Sequence, residues 1–151
     1  MLTVIGLGYV GLPLACEAVR AGLRVVGYDT SAVVVEGLNN GKSHVDDLDC
    51  GDISLMLDAD FLATGDSSCI AEAEVIIICV PTPLSGDGTP DLTAVIEAST
   101  TVAEHLQRGA LVILESTTYP GTTDGTVKPL LEHGSGMVAG GDFSLAYSPE
   151  R

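Results

Sequence analysis

The sequence predicts an α/β fold, a doubly wound and mostly parallel sheet flanked by helices, and three observations carry that expectation. Strand-like apolar runs alternate with helix-like amphipathic ones along the whole chain. The strongest of the strand-like runs, residues 75–80, is continuous and β-branched, as in parallel strands buried on both faces. Finally, Gly6, Gly8 and Gly11 crowd the turn that follows the first run. The length of 151 residues suits one domain, residues 1–151, and a hydrophobic content of 46% is enough for a core of its own.

Each element follows in order. LTVIG opens as a strand and leads into a helix over about residues 10–21, on which Gly11, Ala15, Ala18 and Gly22 recur at i, i+4, i+7 and i+11. Such a small-residue face lets a helix sit close on a sheet. RVVGYD is a second strand, and SAVVVEGLNNG a second helix ending at Gly41. Residues 42–60 are acidic and read as irregular, FLATGD as a short strand, and residues 70–74 as a brief helix. EVIIICVPTP is the central strand, and SGDGTPD is turn chemistry. Asp91, behind Pro90, is the expected N-cap of a helix in which Leu92, Val95, Ile96, Val102, Ala103 and Leu106 repeat at 3 to 4 residue spacing; Arg108 and Gly109 close it. ALVILEST, residues 122–133 and FSLAYSPER then give a strand, a helix and a last strand. No internal repeat, low-complexity segment or linker interrupts the series.

Charge narrows the function classes. Six Lys and Arg against 21 Asp and Glu leave a formal net charge of −15, which repels nucleic acid and anionic membrane. Phosphate binding, if present, has to rest on backbone N–H groups rather than surface lysines. No apolar run approaches the roughly eighteen residues of a membrane span, and residue 1 leads straight into a strand, so a cytoplasmic protein is expected. Cys16, Cys50, Cys69 and Cys79 form no CxxC pair; reduced, mostly buried thiols are the expectation, with a disulfide or metal site the alternative. His44, His105 and His133 share no spacing that would build a metal site or proton relay, so no metal is expected.

The glycines gain a meaning from their setting. In a strand–turn–helix unit of Rossmann type, G-x-G-x-x-G makes a tight turn at Gly6, lets a pyrophosphate approach the backbone at Gly8, and packs helix against strand at Gly11. The helix N-terminus then offers N–H groups to the phosphates. Asp29 ends the second strand eighteen residues after Gly11, where a carboxylate accepts the ribose hydroxyls of an adenosine; the competing reading is an Asp that caps the next helix. Thr30, Ser31, Ala32 and Val33 supply no arginine for a 2′-phosphate, so NAD is favoured over NADP.

Motifs at later strand ends join these. CVPTP at 79–83 with PDLTAV at 90–95, LESTTYPGTT at 114–123 and LAYSPER at 145–151 come in that order, each at or beside a strand's carboxyl end. Together with GLGYVGLP at 6–13, they resemble the N-terminal domain of the UDP-glucose/GDP-mannose dehydrogenase family over essentially the whole chain. STTYPGTT followed by FSLAYSPER is most similar to its UDP-N-acetylglucosamine 6-dehydrogenase branch. The resemblance implies a four-electron oxidation of a nucleotide sugar's C6 alcohol to a carboxylate, reducing two NAD⁺ and giving a uronic acid for polysaccharide biosynthesis. UDP-N-acetylglucosamine or a related UDP-sugar is the implied substrate, with UDP-glucose or GDP-mannose as alternatives. It also implies that Tyr9 and Val10 lie over the pyrophosphate, Thr82 along the cofactor, Thr117 near the nicotinamide and a catalytic water, and Glu150 beside that water. Read from the residues alone, a strand-end threonine such as Thr117 satisfies backbone groups and Glu150 faces solvent, although a partly buried Glu can act as a general base. Glu115 reads as structural.

Two departures from the family pattern stand out. Val34 occupies the position, five residues after Asp29, where relatives carry Lys or Arg toward the adenosine. The chain also ends at Arg151, where relatives continue into a catalytic lysine and asparagine, a long central helix that makes their dimer, a nucleophilic cysteine and a second domain that grips the UDP. None of the four cysteines matches that nucleophile. The expectation is therefore a cofactor domain of a larger, homodimeric or higher enzyme, inactive by itself. A stand-alone NAD-sensing module would have no use for VPTP and ESTTYPGTT, and a β-hydroxyacid dehydrogenase domain would lack SPER.

Overall fold

In the computed structural model, which describes residues 1–86 and 88–149, a six-stranded sheet forms the middle layer. Strands β1 (Leu2–Ile5), β2 (Val25–Tyr28), β3 (Leu62–Thr64), β4 (Val75–Ile78), β5 (Leu111–Glu115) and β6 (Ser144–Ser148) stand in the order β3-β2-β1-β4-β5-β6, and every pairing is parallel. The chain begins mid-sheet, builds outward to β3, then returns to lay β4 on the other side of β1. Strand order reverses there, which opens a crevice at the carboxyl ends. Register keeps those ends level, since Ile5 lies opposite both Tyr28 and Ile78.

The period-two alternation of the strands divides the interior into two cores. Leu2, Val4 and Ile77 face one, which α1 (Gly11–Arg20), α2 (Ala32–Asn39) and α3 (Cys50–Asp58) cover with Leu12, Cys16, Leu38, Ile53 and Met56. Ile5, Ile76 and Ile78 face the other, covered by α4 (Thr93–His105) and α5 (Lys128–Ser135) with Val95, Val102 and Leu131. Each fully buried aliphatic side chain contributes about 1.5–3 kcal/mol relative to exposure. Truncating Leu12, which has no exposed surface, to Ala would cost about 2–5 kcal/mol.

Several local expectations are corrected. Residues 50–58 form α3 rather than an irregular stretch. Asp49 accepts the N–H groups of Gly51 and Asp52 while the Asp52 side chain accepts the Asp49 N–H, a reciprocal cap that turns local acidity into a helix start. Arg20 of α1 pairs with Asp52 and fastens the two helices together. Gly22 is not on the packing face of α1: the helix ends at Arg20, and Gly22 lies beyond it, exposed, at φ +81. Asp91 sits one residue before the N-cap of α4, Leu92, and accepts both the N–H and the hydroxyl of Thr93; these bonds hold its carboxyl below the usual carboxylate range. The short helix before β4 is a 3-10 turn over Ser67–Glu72. The helix expected over 122–133 begins as a wide π turn, Thr123–Val127, and continues as α5. The turn ends with the Lys128 N–H on the Thr123 carbonyl, just before Pro129, whose ring has no N–H for the Gly125 carbonyl and would crowd it in a regular α-helix. Of the four cysteines, Cys16 and Cys79 are buried and Cys69 is half-buried, but Cys50 is exposed at the start of α3. No helix among the described residues is long and apolar enough to cross a membrane.

Candidate functional site

The three glycines after β1 do different things. Gly6 has φ +89, and a Cβ there would come within 2.8 Å of the Cys79 carbonyl oxygen, so only glycine fits. Gly11 brings α1 so close that a Cβ would lie 1.9 Å from the Gly6 carbonyl oxygen. Gly8 has neither constraint: a Cβ at that position meets nothing within 4 Å. The fold does not require glycine at Gly8, and the open space above it is room for a ligand. Beside it, α1 starts at N-cap Val10 with no side-chain cap. Within its first turn the Leu12 N–H is donated to the Gly8 carbonyl at 3.1 Å and Pro13 has no N–H, so what favours an anion there is the positive end of the helix dipole together with the open glycine loop. Tyr9 is exposed, and Val10 is half-buried against the first core.

Asp29 follows β2 and is half-buried. Its Oδ2 accepts the Leu7 N–H at 2.8 Å and its Oδ1 the Ser31 N–H at 2.8 Å, so one carboxylate fastens the glycine loop to the start of α2. The cap of α2 itself is Ser31, whose hydroxyl accepts the Val34 N–H. Asp29 is thus not the helix cap, and its oxygens keep lone pairs for hydroxyl donors. Val34 packs half-buried against the first core, so a long basic side chain there would have to leave that apolar contact.

A cleft of about 400 Å³ lies at the strand-order reversal, bounded by Gly6, Gly8, Asp29, Val80 and Pro81, with no lysine or arginine in its lining. Its other wall is a face of α4 that the sequence reading missed: Ala94, Glu97, Ala98 and Thr101. The signal was the same i, i+3, i+4, i+7 spacing that betrays a core face, but set one step round the helix from the apolar stripe.

The remaining strand-end residues gather beside this cleft and join it at Val80. Thr82 Oγ1 donates to the Thr117 carbonyl at 2.7 Å, Ser116 Oγ donates to the Val80 carbonyl at 3.2 Å, and Tyr147 OH donates to the Ser116 carbonyl at 3.2 Å. Three hydroxyls therefore lace the ends of β4, β5 and β6. The Thr82 side chain does satisfy a backbone group, as a strand-end threonine does by default. Thr117 is exposed and Glu115 half-buried. Glu150 lies outside the described residues. His44 and His133 are exposed, and His105 Nε2 lies 3.0 Å from Ser67 Oγ. Among the described residues, no group of three or more His, Cys, Asp or Glu is placed to hold a metal ion.

Residues 1–151 match the NAD-binding domain of the UDP-glucose/GDP-mannose dehydrogenase family. The chain belongs to that family. It is 42% identical over 152 residues to UDP-N-acetyl-D-mannosamine dehydrogenase of Pyrococcus horikoshii, covering 99% of this chain and 36% of that protein. A solved structure of UDP-D-ManNAc dehydrogenase from that organism superposes with a TM-score of 0.91 over 100% of this chain and 36% of the other. UDP-N-acetyl-D-glucosamine 6-dehydrogenase of Salmonella typhi is 42% identical over 157 residues, 99% of this chain and 35% of that protein. A ternary complex of GDP-mannose dehydrogenase from Pseudomonas aeruginosa gives a TM-score of 0.90 at 30% identity, over 99% of this chain and 36% of that one. The chain spans about a third of the length of these relatives. NAD is the cofactor of the family's domain, and the open space above Gly8, the uncapped start of α1 and the Asp29 carboxylate fit it.

Proposed function

We propose that this chain binds NAD for a nucleotide-sugar 6-dehydrogenase that converts a sugar's C6 alcohol to a carboxylate, with a UDP-N-acetylhexosamine as substrate. The open backbone at Gly8, facing an uncapped helix start and next to Asp29, carries the reading. In this assignment Tyr9 and Val10 cover the pyrophosphate, Asp29 accepts the ribose hydroxyls, Thr82 flanks the cofactor, and Thr117 and Glu150 position water at the nicotinamide end. NAD supplies a hydride acceptor when bound. The chain's own part is to hold it by backbone N–H groups, orient it along the carboxyl edge and refuse a 2′-phosphate at Asp29. The substrate reading rests on the names of the relatives at 42% identity, whose remaining two thirds of length would supply the sugar site and the nucleophile in a homodimeric or larger, cytoplasmic enzyme.

Calorimetry on the chain tests the cofactor reading: NAD⁺ is expected to bind at least about tenfold tighter than NADP⁺, because an unpaired phosphate charge meets Asp29 with no cation nearby. Equal affinities would overturn it. The chain by itself is expected to reduce no NAD⁺ with any nucleotide sugar, whereas the whole protein turns over UDP-N-acetylhexosamines ahead of UDP-glucose and GDP-mannose. In that protein Thr117→Ala is expected to slow turnover more than it weakens NAD⁺ binding. Glu150→Gln is expected to leave NAD⁺ binding near wild type and slow the second, hydrolytic half of the reaction.

A further inference from the structure

We propose that α4 reads the base of the cofactor, with Glu97 and Thr101 selecting a base that presents an amino group over one that presents a carbonyl at the same position. The inference deepens the cofactor reading and rests on it. The cleft is lined by apolar residues and by a few polar ones. Ala94 and Ala98 contribute methyl groups from α4, and Ile5, Val80 and Pro81 add further apolar lining, a surface suited to a ring. Glu97 and Thr101 line the cleft from the same helix face, one turn apart.

The charged groups of the lining are one-sided. An ionised Glu97 carboxylate only accepts hydrogen bonds, as does that of Asp29. Thr101 Oγ1 commits its single proton to the Glu97 backbone carbonyl at 3.0 Å, so what it offers a ligand is lone pairs. No lysine or arginine lines the cleft, and the ion pairs among the described residues engage other carboxylates, namely Glu74, Glu17, Asp52 and Asp142. Tyr28 and Thr30 also line the cleft, each with a hydroxyl that can donate or accept, so the charged groups are what give the lining its bias toward accepting. The charges that a ring held in this cleft meets are therefore acceptors only. The 6-amino group of adenine satisfies them, whereas the 6-oxo group of hypoxanthine sets oxygen against oxygen. Glu97 is exposed on an amphipathic helix, which is why it reads in sequence as part of a solvated face.

The test compares NAD⁺ with nicotinamide hypoxanthine dinucleotide, which differs from it at that one group, by calorimetry on the chain. The wild type is expected to prefer NAD⁺ by about tenfold, the worth of one charge-assisted hydrogen bond replaced by a repulsive contact. Glu97→Gln presents both a donor and an acceptor, so it is expected to weaken NAD⁺ while tightening the hypoxanthine analogue, bringing the ratio close to one. Thr101→Val is expected to shrink the ratio by a smaller factor. Equal affinity of the two dinucleotides for the wild type, or an unchanged ratio in Glu97→Gln with a wild-type melting temperature, would overturn the proposal while leaving the cofactor reading intact. Binding of neither dinucleotide would overturn both.

Discussion

The two ends of the carboxyl edge of the sheet are built on different principles. Around β1 and β2 the site is made of backbone. Gly6 and Gly11 allow contacts of a closeness that no side chain survives, Asp29 fixes the loop through two N–H groups, and Gly8 is left open. Around β4, β5 and β6 it is made of hydroxyls, with Thr82, Ser116 and Tyr147 each donating to a neighbouring strand-end carbonyl. The first end is a cleft between the glycine loop and α4, with a carboxylate in its lining. The second is a braced ledge with Thr117 exposed on it, and it defines positions rather than enclosing a ligand. The difference matches the chemistry proposed for each. The pyrophosphate and ribose held at the first end belong to the cofactor alone, whereas the reacting end has to admit a substrate as well.

The sharpest way to break this comparison is at the glycines. Gly11→Val forces a side chain into the Gly6 carbonyl and is expected to cost about 3 kcal/mol of stability in urea denaturation. Gly8→Val enters open space, so it is expected to change stability by no more than about 0.5 kcal/mol while abolishing NAD⁺ binding. A Gly8→Val chain that still bound the dinucleotide would reduce the loop to a turn. Next in size, Asp29→Ala unpairs the Leu7 and Ser31 N–H groups and is expected to cost about 1–3 kcal/mol, with weaker NAD⁺ binding and a narrower gap to NADP⁺. Stability and affinity should fall together there, unlike at Gly8; a change in affinity alone would show that the carboxylate does not hold the loop.

Thr82→Val sharpens the other end. It removes the hydroxyl that braces the Thr117 carbonyl and is expected to cost about 0.5–1.5 kcal/mol, with ADP affinity unchanged because the cleft lining does not include Thr82. Loss of ADP binding would merge the two ends into one site. The smallest effect concerns the core beneath α4. Burial pushes the Cys69 thiol up from 9.0 to about 11, so the folded state keeps it protonated after the unfolded chain has begun to ionise. Its contribution is full below pH 9 and is lost as pH rises from 9 through 11. Melting temperatures should fall across that window, and the Cys69→Ala chain should fall less steeply; parallel curves would assign the loss to other groups.

Much of this was written locally. The strand–helix alternation, the parallel sheet and the grouping of Gly6, Gly8, Gly11 and Asp29 follow from apolar period and from turn residues, because backbone sterics act over a few residues. The α3 helix was hidden, since the acidic residues that cap it are the same ones that make the stretch look solvated. The wide turn before Pro129 was hidden too, because the run from Thr122 onward keeps an ordinary helical period.

By itself, then, the sequence determined the fold class, the glycine turn and the family, all of which depend on patterns between near neighbours. Only the tertiary structure decided which glycine is open and which is closed, that Asp29 ties Leu7 to Ser31, and that a face of α4 forms the second wall of the cleft. Those facts depend on distances between segments far apart in the chain, such as Gly8 and Thr101, and it is the sheet, by setting β1 beside both β2 and β4, that brings such segments together.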